Sequence, residues 1–389
     1  AAALNRVRGA AASQIEGMLR ANGKVYLINP NGILIGPNGS IDVGGFVAST
    51  LDTDDGDFMR GGDLRFAGNS DAAIINLGSI SALDGDVVLM AGSVLNEGRI
   101  RAPRGTAALA AGNDILLIES GEERVFVRGS GGSKKAEGVT NTGEIEANIA
   151  ELKAHGGNIY GMAVKNEGRV AATGVTRSGG QIFLSAGGGR VRSTGTLKAK
   201  RSDGSGGKIK VDSGTTGKTE IGGTVDASGE HGAGGEIAIL GNEIEVFDGT
   251  LILNDGETMG GTTRIGGGRR GEDPAFANAE FLTVGSGSRI SANARGSGDG
   301  GEIVLFANDT ATLHGVVSAQ GGTLGGNGGF IELSGRNRLF VPDLVGQVRL
   351  SAPIGNSGSL LLDPANINVI HGTGGGILGT TMTDGALMD

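Results

Sequence analysis

The 389-residue chain has no cysteine, no tryptophan, two tyrosines and only seven prolines. Without cysteine, disulfides, thiolate metal sites and cysteine catalysis are excluded. The same absence suits a chain threaded unfolded through an export pore, where an early cross-link would block passage. So few aromatic rings leave little to stack on bases or on sugars. Low proline without a strict G-X-Y period excludes collagen. No apolar run is long enough for a transmembrane helix, so the chain reads as not membrane-spanning. The opening Ala1-Ala2-Ala3-Leu4-Asn5-Arg6 lacks the apolar stretch of a signal peptide. Either the protein is cytosolic or the natural start lies upstream. The balance of 33 basic against 42 acidic residues, net −9, provides no broad basic face for nucleic acid.

What is abundant is glycine, 78 residues, together with 38% apolar residues spread evenly along the chain. That apolar content is too high for disorder. No linker with a composition shift interrupts it, so one extended array is expected rather than two or three globular domains.

A repeat organises the chain. Asn76-Leu77-Gly78-Ser79-Ile80-Ser81-Ala82 returns as Asn96-Glu97-Gly98-Arg99-Ile100-Arg101-Ala102, then as Asn141-Thr142-Gly143-Glu144-Ile145-Glu146-Ala147 and Asn166-Glu167-Gly168-Arg169-Val170-Ala171-Ala172. Shorter copies begin at Gly195, Gly223, Gly287 and Gly315, so that the leading glycines stand 20, 45, 25, 27, 28, 64 and 28 residues apart. The gaps of 45 and 64 each fit two or more degenerate units. Gly-Gly pairs at 179–180, 206–207, 234–235, 300–301 and 328–329 keep similar step.

Within a unit the apolar period is two, which is a strand pattern. Ile209 and Val211 point one way and Lys208 and Lys210 the other; in Phe330-Ile331-Glu332-Leu333-Ser334, Glu332 is expected to face out. Short strands joined by glycine corners describe the coils of a solenoid, with Gly and Asn at corners that need positive φ. Stacked coils share the core that one coil cannot form. The fold class is therefore all-β, a right-handed parallel β-helix. At about 4.8 Å per strand and some 24 residues per coil, roughly 16 coils give a rod about 75 Å long. A β-propeller would need aromatic blade signatures that are absent. The one short helical turn expected lies near 14–20.

Near-motifs for chemistry fail on spacing. Gly214-Thr215-Thr216-Gly217-Lys218-Thr219 resembles a phosphate loop, but Asp212 holds its first glycine position and no helix pattern follows. Gly296-Ser297-Gly298-Asp299-Gly300-Gly301 fits a dinucleotide pattern only because glycine is so frequent, and reads as a repeat corner. Asp52, Asp54, Asp55 and Asp57 form a loop that attracts Ca²⁺ in principle, yet Gly56 is misplaced for an EF-hand, so a solvated acidic loop is expected. His155, His231, His314 and His371 are too scattered for a zinc site. No catalytic residues, metal ligands or cofactor are assigned.

One segment is specific. Leu4-Asn5-Arg6-Val7, Ile15-Glu16-Gly17 and Ala21-Asn22-Gly23-Lys24-Val25-Tyr26-Leu27-Ile28-Asn29-Pro30-Asn31-Gly32-Ile33 run on into Ile41-Asp42-Val43-Gly44-Gly45-Phe46-Val47-Ala48-Ser49-Thr50. This stretch resembles the secretion domain of two-partner-secretion exoproteins, the filamentous haemagglutinin family. Leu360-Leu361-Leu362-Asp363-Pro364-Ala365-Asn366-Ile367 is also similar to a segment of these proteins. The resemblance implies a secreted or cell-surface bacterial adhesin and a dedicated outer-membrane barrel as partner. It further implies that Asn29, Pro30, Asn31, Gly32 and Ile33 serve partner recognition. Family members carry a signal peptide and further strands ahead of the stretch matching Leu4, so this chain reads as lacking that cap. Residues 1–130 are assigned to the secretion domain and 131–389 to a repetitive stalk. Physically, Pro30 fixes φ and Asn31-Gly32 suits positive φ, so the motif is also a corner between adjacent strands. Left open are a spacer presenting a downstream toxin or tip, and a carbohydrate-active β-helix enzyme. An uncapped first coil near 25–35 would expose strand edges and self-associate.

Overall fold

The computed structural model describes residues 1–128, 137–155, 162–175 and 179–364, with a short strand Leu387–Met388. The period-two segments form parallel strands that pair with the equivalent strand one coil later, making a right-handed parallel β-helix of three faces. The first face is a twelve-stranded sheet running from Ser13–Ile15 through Ala73–Asn76 and Ser93–Asn96 to Arg338–Phe340. The second and third faces join into one large sheet, because strands such as Met18–Ile28 and Arg99–Ala111 bend from one to the other across register shifts at 21–24 and 102–106. Twelve strands on the first face span about 53 Å at about 4.8 Å per step, shorter than the sequence suggests. The missing coils went into excursions. The 45-residue gap holds one coil, since Asn96 pairs directly with Asn141. The 64-residue gap does hold two, through Val225, Ile252 and Ile290.

Inward residues stack as columns, for instance Ile74, Val94, Val139, Val164 and Val191, all essentially water-free. They belong to one apolar core that continues from Ile33 to Leu362. Full burial of each such side chain stabilises the fold by about 1.5–3 kcal/mol. Beside it runs a buried asparagine ladder: Asn76 Nδ2 donates to Asn96 Oδ1 (2.7 Å), Asn96 to Asn141 (2.7 Å), Asn141 to Asn166 (2.8 Å) and Asn166 to Ser193 Oγ (3.1 Å). Each amide thus satisfies its neighbour across the coil spacing, which makes its burial tolerable.

Positive φ accounts for some corner glycines, such as Gly223 (64°) and Gly287 (68°), but not for most of the series. Gly98, Gly143, Gly168 and Gly195 have ordinary backbone angles. At each, a Cβ would collide with the carbonyl oxygen of the glycine one coil earlier. The same holds for Gly207 and Gly235, and for Gly301, Gly329 and Gly358. Close backbone approach selects glycine in these two columns.

The third face is also covered from outside. Strands Leu64–Ala67, Asp114–Leu117 and Val125–Val127 form a small antiparallel sheet. It buries a second cluster that includes Tyr26, Ile28, Val47, Phe66, Val88, Met90 and Ile115. Two outward residues of strand Glu144–Ala154 pin it down. Glu151, fully buried, accepts from the amides of Arg124 (2.5 Å) and Val125 (3.1 Å). Lys153 Nζ reaches Glu151 (2.9 Å), Glu123 (2.6 Å) and the Val125 carbonyl (2.8 Å). Burial pushes the Glu151 carboxyl up, against the opposing pull of Lys153.

Three further expectations change. Residues near 14–20 form strands Ser13–Ile15 and Met18–Ile28 rather than a helical turn, because they pair in register with the next coil. Glu332 does point away from the core, yet it is fully buried beneath another excursion. The strands near 25–35 are already paired by Ala2–Arg6 and Ser13–Ile15, so they do not present the expected free edge.

Gly168→Ala is expected to destabilise the chain by about 1–3 kcal/mol through backbone overpacking. Gly17→Ala, with nothing within 4 Å of the added Cβ, is expected to be near neutral. Equilibrium denaturation of both variants checks this; equal midpoints would refute the close-approach account. Lys153→Met leaves Glu151 buried without its cation and is expected to cost about 3–5 kcal/mol. Tm and proteolytic cutting at 118–128 measure that loss.

Candidate functional site

The 29–33 corner links the third face to the first. Its Asn29-Pro30-Asn31-Gly32 turn closes with a hydrogen bond from Gly32 N to Asn29 O (3.1 Å). Only Gly32 has positive φ (108°); Asn31 does not, so the turn is the type that takes Pro second and Gly last. A Cβ on Gly32 would also press on the Ala73 carbonyl at 3.1 Å.

The side chains divide sharply. Asn29 is fully buried: its Oδ1 accepts from Asn31 N (2.9 Å), and its Nδ2 donates to Ala11 O (3.0 Å) and Ser13 Oγ (2.9 Å). Ile33 lies in the core and Gly32 is buried. Pro30 and Asn31 alone are exposed. Asn31 Nδ2 donates to Gly9 O (2.8 Å), and Ser70 Oγ donates to Pro30 O (2.6 Å). The motif therefore clasps loops 7–12 and 68–72 from behind while presenting a Pro-Asn tip. Sequence reasoning grouped all five residues as one recognition element; the structure makes three of them internal supports.

Beside the tip lies an open groove of about 460 Å³ lined by Arg6, Val7, Arg8, Ile28, Pro30 and residues 52–55. Arg6 organises it, donating to Asp52 Oδ1 (2.7 Å) and Thr53 O (2.5 Å) and pairing with Asp55. Its hydrogen bond with Asp52 pushes the guanidinium further above its ordinary range. Asp54 caps the short helix Asp55–Arg60 by accepting from Asp57 N (3.0 Å), and Asp57 pairs with Arg60. The acidic loop is thus solvent-exposed, as expected, with Arg6 and Arg60 offsetting part of its charge. The helix places Phe58 edge-on against Tyr26 (5.0 Å, 82°). Burial pushes the Tyr26 phenol up. No group of three potential metal ligands occurs among the described residues. Arg6 was legible only as part of a family segment; nothing in its local sequence signals pairing with residues 46 and 49 positions away.

The rejected motifs fall elsewhere. Lys218 begins strand Lys218–Ile221, with Nζ held by Glu243 (2.7 Å) and Glu245 (2.9 Å), leaving no phosphate cradle. The 296–301 glycines form a coil corner stacked on 258–261 and 326–329. His155, His231 and His314 are on separate coils, and His371 lies outside the described residues, as do residues 365–367 of the C-terminal family segment.

A parallel β-helix with an antiparallel outer sheet and an Asn-Pro-Asn-Gly corner defines an exoprotein secretion domain. The chain belongs to the TPS (two-partner secretion) secretion domain family, whose model matches residues 1–199. It is 34% identical over 194 residues to a heme/hemopexin-binding protein of Haemophilus influenzae, covering 47% of this chain and 21% of that protein. Against a second H. influenzae protein of the same description it is 58% identical over 52 residues, 13% of this chain and 6% of the other. The chain thus spans about a fifth or less of the curated relatives it matches. The crystal structure of the HMW1 secretion domain from H. influenzae superposes with a TM-score of 0.65 at 28% identity, covering 92% of this chain and 86% of that one.

Asn29→Ala is expected to lower stability by about 1–3 kcal/mol, since it removes a fully buried amide and its three hydrogen bonds. Asn31→Ala, at the exposed tip, is expected to cost well under that. Thermal melts of the two single variants test the division; equal losses would show that the tip, too, is structural.

Proposed function

We propose that this chain is the export module and the beginning of the stalk of a secreted bacterial adhesin. In this reading a dedicated outer-membrane barrel recognises the exposed Pro30–Asn31 tip and the adjoining Arg6 groove. The chain crosses unfolded, and its coils stack in order as they emerge, each needing only its predecessor as a template. Residues 131–389 then serve as the proximal stalk, attaching to cells or surfaces by extended contacts. The observation that carries this is the family match over 1–199 combined with a motif whose exposed part is a rigid polar tip. A second reading, capture of haem or of hemopexin by the full-length protein, is favoured by the description of both curated relatives.

Secretion tests the first reading. The chain, joined to a signal peptide, is co-expressed with a partner barrel, and culture medium is compared for wild type and a Pro30→Ala/Asn31→Ala double variant. The variant, folded in vitro, is expected to appear outside at about one tenth of the wild-type level, equivalent to about 1.4 kcal/mol of recognition. Equal export would reduce the motif to a corner. Binding of the secreted chain to host cells, against retention on hemin or hemopexin resin, separates adhesion from haem capture.

A further inference from the structure

A second excursion, 266–280, leaves the third face between strands Thr262–Ile265 and Phe281–Val284. Its glycine-rich start lies over Phe306, which is fully buried: a Cβ on Gly267 would meet the ring at 3.0 Å, and one on Gly271 would collide with it. Arg336 covers another part of the ring at 5.4 Å and donates to the Arg270 carbonyl (3.2 Å). Arg270 is the only non-glycine residue with positive φ (54°) among the described residues, a conformation that persists only where its surroundings impose it.

What imposes it is Glu332. Its Oε1 accepts from Arg270 N (2.8 Å) and from Ser334 Oγ (2.8 Å). Its Oε2 is buried with no hydrogen-bond partner, and the residue is fully shielded from water. The contrast is with Glu151, which holds the first excursion in the same way but has both oxygens bonded and Lys153 at 2.9 Å. The neighbouring charges do not replace that lysine. Arg269 is turned to Glu302 (2.9 Å) and stacks on Phe330 at 4.1 Å; Arg264 also pairs with Glu302 (3.3 Å). Arg270 meets Glu332 through its backbone amide alone, Arg336 is turned to the Arg270 carbonyl, and Asp363, just past the following strand, adds like charge.

We propose that the 266–280 excursion is a proton-dependent cover over Phe306, latched by Glu332 in its neutral form. An ionised Oε2 with no donor is far costlier to bury than a neutral carboxyl. Burial accordingly pushes the Glu332 carboxyl up, with Asp363 adding to it and Ser334, Arg270 N and Arg269 opposing. The sign follows. Closing raises the affinity for the proton, so the cover is fully stable below the ordinary carboxylate range. It loosens as pH rises from there to the raised value, and stays at its loosened level above it.

Hydrogen exchange of the 266–280 amides, corrected for intrinsic rates, reads the latch across mildly acidic to mildly alkaline pH on the whole chain. Wild-type opening is expected to rise by about tenfold per pH unit within the window. Glu332→Gln is expected to remove that dependence. The 118–128 excursion, held by Glu151 and Lys153, provides the internal comparison and is expected to change less steeply. A flat wild-type curve overturns the proposal by itself, whether or not the variant folds. So does a Glu332→Gln curve that tracks wild type.

Discussion

Everything in this molecule is subordinate to the distance at which one coil can sit on the next. Parallel strands hydrogen-bond at about 4.8 Å, and that spacing is imposed on the corners too, where Arg169 N still donates to the Gly143 carbonyl (2.9 Å). At Gly168 the chain passes so close to the Gly143 carbonyl that a methyl group has nowhere to go. A solenoid can admit bulk at a corner only by swinging the chain outward into a loop. The sequence therefore alternates between tight corners made of glycine and excursions long enough to pack on the outside. The asparagine ladder belongs to the same constraint: an amide donates to the amide one coil on because 4.8 Å is within side-chain reach of both.

The excursions decide where the outer surface is wet. A strand of the third face has an inward row in the core and an outward row that ought to be polar. Under the outer sheet that outward row becomes Tyr26, Val47, Val88 and Met90, and the strands are apolar on both sides. Where a polar residue stays beneath an excursion it acts as a fastener, accepting backbone amides of the covering loop. Glu151 and Glu332 both do so, one with a lysine beside it and one without. Breaking a buried pair costs more than never having formed it, so the two fasteners differ in what holds their charge, not in their geometry.

Period two and the Asn-x-Gly repeat made the β-helix legible, because both report directly on local alternation and corner position. Their limits are also local. Alternation tells in from out, but not whether out is solvent: Glu332 reads as exposed from its neighbours and is buried by residues 62 positions earlier. The spacing of repeats counts coils only when loops are short, so the excursion after Ala111 made one coil look like two. Glycine at a corner was attributed to positive φ, whereas two columns of them answer to inter-coil contact that no single window can reveal. At the candidate site, the turn was legible from Pro30 and Gly32. The burial of Asn29 was not, since its partners Ala11 and Ser13 come from the preceding coil.

That division within the corner bears on how a partner would read it. A flexible tip loses conformational entropy on docking, about 0.5–1.5 kcal/mol for each side chain that must be fixed. Here the tip is already fixed from the inside. Asn29 orders the Asn31 amide, Gly9 holds the Asn31 side chain, and Ser70 holds the Pro30 carbonyl. Binding would then have little left to order, and modest polar contact suffices for specificity. The same supports come from residues 9–13, 49 and 70, so the tip takes this shape only after three coils have come together. A barrel that engages the chain before folding would meet Asn29–Asn31 as an unordered peptide; one that engages it afterwards would meet a rigid tip. In the rigid form Asn29 is buried and acts only by ordering the tip, in the unordered peptide its side chain is open to direct contact, and Asn31 is available in both.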